Sequence, residues 1–356
     1  MAYTDIDDPS AYFHTQLYTG NATARSITND ANAGNFQPDW LWIKVRNNAN
    51  NHRMFDSSRG ANLDLVTNLT QGDSDSTDRC TGFDSNGFSL GNNAEVNSNT
   101  HNIVSWQWKA NGGTTASNTD GDITSTVQAN TEAGFSIVTY TGNGNASAQT
   151  VGHGLGAECR LVLLKSRSLG DEGWRVFHES VSQSAGGNLF LNGTSGLDTG
   201  DPARITSTNT TTFTLDGYHS TYDAINEGSA TYLAYCFAEK QGYSKIGKYI
   251  GNGSTNGTFV YTGFKPAWVL VKTVDVAQSW QLSDSTRSPF NVINDRLSPN
   301  SEAGTAESIS WIDFTSNGFK LRHGDVAWNG SGGTYIYMAF AESPFVSSTG
   351  TPTTAR

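Results

Sequence analysis

One ten-residue pattern recurs along this chain, and its recurrence constrains the fold more than any other feature. Residues 263–272 read GFKPAWVLVK, residues 35–44 read NFQPDWLWIK, and residues 156–165, GAECRLVLLK, are a weaker version. A second aromatic segment follows each: HRMFDSSRG (52–60), GWRVFHESV (173–181) and SWQLSDSTR (279–287). Next comes a turn and strand: FDSNGFSL (83–90), TNTTTFTL (208–215) and FTSNGFKL (314–321). The series ends with NIVSWQWKA (102–110), TYLAYCFAE (231–239) and TYIYMAFAE (334–342). Segments recurring in one order mark tandem copies of a single structural unit.

The units read as antiparallel β-structure. Short runs of Val, Ile, Thr, Tyr, Phe and Trp lie between Gly/Asn/Asp/Ser clusters, and no stretch sustains a helical period. Ser-Asn-Gly before Phe signals a tight turn, because Asn and Gly tolerate positive φ. Each unit opens with a further strand running into a Gly/Asn turn: FHTQLYTGN (13–21), FSIVTYTGNGN (135–145) and IGKYIGNGS (246–254). Strands with one wet face must stack or close to bury the other. The expected architecture is therefore all-β, with three tandem antiparallel β-sandwich repeats of jelly-roll or concanavalin-like form. The repeats span residues 1–112, 133–241 and 242–346. Residues 113–132, rich in Gly, Thr and Ser, are expected as a linker, and 347–356 as an extended C-terminal arm. In the closing strands Val104, Trp106 and Trp108, and likewise Ile336, Met338 and Phe340, alternate onto one face, expected to be core.

Composition excludes several classes. The 9 Trp, 13 Tyr and 17 Phe supply burial area that disordered chains lack. A net charge of -11 with no Lys/Arg block argues against nucleic acid. The N-terminus MAYTDIDDPS has neither a basic nor an apolar region of a secretory signal, and no apolar run approaches the ~20 residues that span a bilayer. Cys80, Cys159 and Cys236 are sparse and odd in number, which fits buried free thiols made in a reducing cytoplasm.

Two sets of residues stand out as the signature of the unit. Lys44, Lys165 and Lys272 each end an apolar strand, and Asp56, Glu179 and Asp284 lie on the strand that follows. A lysine–carboxylate pair between neighbouring strands is expected in every copy. A catalytic lysine would not need three copies in one chain. Asn97, Asn226 and Asn329 each follow a large apolar residue and precede the matching closing-strand residue by seven positions, so each is expected to be a turn residue bonding its own backbone.

Catalytic signals are missing. There is no E-x-D-x-x-E run for glycoside cleavage and no G-x-S-x-G. His153, between glycines in GHGLG, is better read as a turn or packing residue. No catalytic and no metal-ligating residue is assigned and no cofactor is expected, with calcium in the Asp/Asn/Gly-rich loops 84–87 and 118–123 as the one candidate ion.

The thrice-repeated P-x-W-apolar-K, FDSSRG, SNGF and YIYMAFAE plan, with TVGHGLG (150–156) and the ending AFAESPFVSSTGTPTTAR (339–356), resembles a family of uncharacterised repeat domains in structural proteins of tailed phages, often marine ones. The resemblance covers most of the chain, and the second copy departs from it where Cys159 replaces the proline. It implies a non-enzymatic virion protein, a tail-fibre, tail-associated or capsid decoration subunit assembling with other virion proteins or with itself, made in the host cytoplasm. The alternative is an adhesin that binds host surface glycans. Its candidate contacts are Trp328 with Asn329, and Tyr218 with Tyr222 near Asp223. A polysaccharide hydrolase or lyase is the third reading and lacks a carboxylate pair.

Overall fold

The computed structural model describes residues 4–219, 224–305 and 309–353. Its regular structure is six antiparallel sheets, three larger and three of three strands. Among the described residues the only α-helices are Ala94–Asn97 and Glu179–Ala185.

The sheets come in pairs, each pair drawn from one continuous stretch, here called the first (13–108), second (116–237) and third (244–344) block. The larger sheets share a four-strand order. In the first block the opening strand Phe13–Thr19 pairs with the closing strand Asn102–Trp108. The closing strand pairs with the lysine strand Trp40–Val45, and that with the return strand Arg53–Asp56. Phe135–Thr141, Thr231–Phe237, Leu161–Ser166 and Arg175–His178 repeat this order in the second block. Ser244–Ile250, Thr334–Pro344, Phe264–Thr273 and Gln281–Asp284 repeat it in the third. The small sheets also correspond, with Gly87–Leu90, Thr212–Leu215 and Gly318–Leu321 at their centres.

The Ser-Asn-Gly turns have a steric reason. A Cβ on Gly87 would lie 2.0 Å from the Ile27 carbonyl oxygen, and one on Gly318 would lie 2.1 Å from that of Val260. The turn passes so close to the neighbouring strand that only glycine fits. Pro266 sits at a register shift in its strand, where a missing N–H costs no regular ladder bond.

Both faces of the larger sheets are buried. One face packs on the block's own small sheet, as Leu41, Ile43 and Ile103 do with Phe88 and Leu90. The second and third blocks have their own equivalents of this cluster. The opposite faces meet in one shared cluster: Trp40, Trp42, Trp106 and Trp108 with Leu163, Tyr235 and Phe237, and with Trp268, Leu270, Met338 and Phe340. Ring contacts cross all the joins: Trp40–Tyr235 at 4.5 Å, Trp108–Trp268 at 5.7 Å and Phe237–Phe340 at 6.0 Å between centroids. Two-sided burial explains why the lysine strands read as unbroken apolar runs, since a strand covered on both faces has no wet position to leave polar.

Two expectations are corrected. Residues 113–132 are not a free linker: Ala116–Asn118 and Ser125–Asn130 extend the second block's large sheet beyond its opening strand. Ile123 and Val127 enter that block's core, which the surrounding Ser and Thr concealed in the sequence. Nor do residues 347–353 extend as an arm. Val346 bridges to Pro352, and Ser347 N–H donates to the Thr351 carbonyl at 2.9 Å, closing a turn against the body.

Candidate functional site

The signature lysines are fully buried, and none contacts the acid expected of it. Trp40 stands opposite Asp56 and Trp268 opposite Asp284. Each acid therefore lies beside the start of the lysine strand, and the lysine four residues on is about 13 Å away at ~3.3 Å per residue. At the second-block position it is His178 that corresponds to these acids, one residue before Glu179. Glu179 instead accepts from Arg160, the residue just before the neighbouring strand Leu161–Ser166.

Each lysine binds carbonyl oxygens, always that of the next residue in its own block and one from another block. Lys44 Nζ donates to Val45 (2.7 Å), Asn48 (3.3 Å) and Glu302 of the third block (3.0 Å). Lys165 Nζ donates to Ser166 (2.8 Å) and Thr70 of the first block (3.0 Å). Lys272 Nζ donates to Thr273 (3.0 Å) and Thr194 of the second block (3.0 Å). The direction is cyclic: first to third, second to first, third to second. Burial lowers all three lysines to about 8, opposed in Lys44 by Glu95 and Glu302 and in Lys165 by Glu172 and Asp73.

The acids form a second set of cross-block contacts. Asp56 accepts from Arg59 Nε at 2.6 Å and from the Tyr235 hydroxyl of the second block at 2.9 Å. Asp284 accepts from Arg287 and from Trp106 Nε1 of the first block at 3.0 Å. Burial opposes the charge on Arg59, but Asp56, Tyr235 and Asp73 outweigh it and hold the guanidinium above its ordinary pKa. At the remaining join His178 and Val181 of the second block and Met338 of the third occupy the places of the acid, the arginine and the donor. His178 Nδ1 accepts from Ser180 N–H at 3.2 Å, so Nε2 carries the proton and donates to the Tyr337 carbonyl of the third block at 3.3 Å. Burial brings this histidine down to about 4, leaving it neutral at pH 7.

The asparagines act at long range, which corrects the expectation that each bonds its own turn alone. Asn97 Oδ1 accepts from Asn21 N–H, Asn226 Oδ1 from Asn143 N–H and Asn329 Oδ1 from Asn252 N–H, each at 3.0 Å. Their Nδ2 groups donate to carbonyls of the same distant turns: Thr23, Asn145 and Ser254. Each thereby staples the turn after the opening strand. Beside them Tyr18, Tyr140 and Tyr249 donate to the carbonyls of Val96, Ile225 and Trp328. These tyrosines were missed, although their place in YTGN, YTGN and YIGN was a signal.

The other candidates are dispersed. Trp328 and Asn329 are buried and present nothing to a glycan. Tyr218 is half-buried with its N–H on the Asn145 carbonyl at 2.7 Å, while Tyr222 and Asp223 lie outside the described residues. His153 is buried, its Nδ1 accepting from Leu155 N–H and its Nε2 against the Asn209 carbonyl at 3.1 Å. In the calcium candidates, Asp84 accepts from Ser89 and Asp122 from Thr150. Among the described residues no three His, Cys, Asp or Glu side chains converge on a point that would hold a metal. The three cysteines are buried and free, and burial raises Cys80 to about 12.

No curated protein and no solved structure matches the chain. Residues 8–344 match one family described as a domain of unknown function, DUF7483, across all three blocks in one span. The chain belongs to the DUF7483 family.

Proposed function

We propose that this chain is a non-enzymatic structural subunit exposed on a bacteriophage particle, as a tail-fibre, tail-associated or capsid decoration protein. In this reading the three blocks are copies of one jelly-roll or concanavalin-like sandwich, closed into a trimer within a single polypeptide. The supporting observation is the cyclic set of seams. The lysines, the acid–arginine pairs and His178, the residues chemistry would most readily use, are all spent on joining one block to the next. A quasi-threefold body of this kind is suited to a symmetric assembly. The particle assignment comes from the resemblance of the repeated signature to phage structural proteins. Locating and counting the chain in purified particles by mass spectrometry and cryo-electron microscopy tests it, and absence from infectious particles would end it.

Glycan binding is the second reading. It is favoured by an outward aromatic pair on the third block.

A further inference from the structure

The three blocks are alike inside but differ on the surface. Among the described residues, every large hydrophobic side chain that is substantially exposed lies between Ile250 and Val326, within the third block. The difference is sharpest at the outer strand of the small sheet. Phe259 and Tyr261 pair with Lys320 and Gly318, and both point outward, 45% and 60% exposed, while Val260 between them is buried. By register the same two places hold Ser26 and Thr28 in the first block, and Thr150 and Gly152 in the second. In the second block this strand is also bridged by Ile123, and Asp122 bonds Thr150. The third block therefore carries two aromatic rings where its counterparts carry hydroxyls or hydrogen.

Tyr261 also lines a groove of about 650 Å³ at the join of the second and third blocks. Its walls carry Asp5, Glu158, Arg160, Glu239 and Lys245. Several of these are held in place. Glu239 accepts from Lys245 Nζ at 2.9 Å and from Ile246 N–H at 2.8 Å, and Arg160 bonds Glu179 while lying 3.8 Å from Glu239. The Tyr261 ring leans over Gly263, where a Cβ would sit 3.6 Å from the phenol oxygen.

We propose that the Phe259–Tyr261 strand and the adjoining groove form a binding site for a neutral glycan chain, an inference that rests on the glycan-binding reading above. The two residues are about 7 Å apart along the strand backbone and share its outward face, which offers two aromatic surfaces for the C–H faces of successive sugars. The groove supplies oriented carboxylate, guanidinium and ammonium groups for their hydroxyls. Its three acids and two bases leave a small negative balance on a chain of net charge -11, which disfavours sulfated or sialylated sugars. A protein partner would find the rim of the groove charged and its apolar residues spread along the block.

The test is a printed glycan array, followed by titration calorimetry with neutral hexasaccharides, on the full chain and on Phe259→Ala, Tyr261→Ala and Tyr261→Phe. Ser26→Ala at the equivalent place in the first block is the control. Binding of neutral glycans is expected to weaken roughly tenfold or more, about 1.4 kcal/mol, in each alanine variant and to persist in Tyr261→Phe and Ser26→Ala. The melting temperature should not move, because both rings are outside the core. Glycan binding untouched by the alanine variants would overturn this site but leave the glycan reading standing. No binding at millimolar sugar would overturn both. A preference for sulfated or sialylated glycans would overturn the neutral assignment. Concentration-dependent self-association by light scattering, abolished in the same variants, would make the surface a protein interface and overturn the proposal.

Discussion

The two acid-centred seams and the histidine seam solve one packing problem in different ways. At Asp56 and Asp284 a buried carboxylate is held by an arginine three residues on and by a donor from another block, Tyr235 or Trp106. At the third position the closing strand presents Met338, which has no proton to donate. The acid there becomes His178 and the arginine becomes Val181, with Val181 and Met338 both in the shared core. Three positions change together, as they must, because a buried carboxylate without its arginine or its donor is severely penalised. One chain thus contains the ionic and the mostly apolar version of the same join.

The largest expected effect comes from breaking an ionic seam on one side. Arg59→Met or Arg287→Met leaves its aspartate buried with no opposite charge, held only by the backbone N–H of residue 59 or 287 and by the Tyr235 or Trp106 donor, and should cost about 3–5 kcal/mol. Urea denaturation measures this, and a loss below about 1 kcal/mol would mean that the seams are interchangeable. Next in size is the graft. Asp56→His, Arg59→Val and Tyr235→Met together convert the first seam to the histidine type. The triple variant should be more stable than Arg59→Val alone by about 2 kcal/mol, whereas independent positions would add their losses. Strict additivity would sink the claim that the three positions form one unit.

The asparagine staples lie away from these joins and provide a baseline. Asn97→Ala, Asn226→Ala and Asn329→Ala should each cost about 1–3 kcal/mol through unpaired turn N–H and C=O groups. The three losses should agree whichever seam type lies nearest, and a spread beyond that range would show that seam and staple are coupled. The smallest effect is a pH slope. His178 is held near 4 in the folded chain, below the ordinary histidine value near 6.5. Between those values the unfolded chain binds the extra proton, so stability falls as pH drops from about 6.5 towards 4. His52 and His14, also lowered by burial, contribute in the same direction. Melting scans should show a shallower acid slope in His178→Leu than in the parent, and an identical slope would remove the histidine seam from the acid response.

Much of this was legible in the sequence, in an uneven way. The strand class, the tripling and the glycine turns came through because each depends on local spacing and on sterics within a few residues. The lysines and the acids stand out in the sequence, but the pairing expected between them does not form. Which side chains meet depends on antiparallel register, and it is register that sets Asp56 opposite Trp40 rather than Lys44. The segment at 113–132 was misread because Ser and Thr serve equally in linkers and in edge strands, and only Ile123 and Val127 carried a signal. Trp328 looked available to a glycan because exposure is a property of the fold and not of the residue type.

By itself the sequence determined that the chain is all-β and that one strand plan is written into it three times. These follow from side-chain alternation and turn chemistry, which act over a few residues. Only the tertiary structure decided that the units close on each other in a cycle, with the lysine of one block held by a carbonyl of another. Burial is what made that outcome binding. Strands covered on both faces left each lysine Nζ and both seam aspartates, Asp56 and Asp284, no water to turn to, so every one had to find its partner, often across a seam.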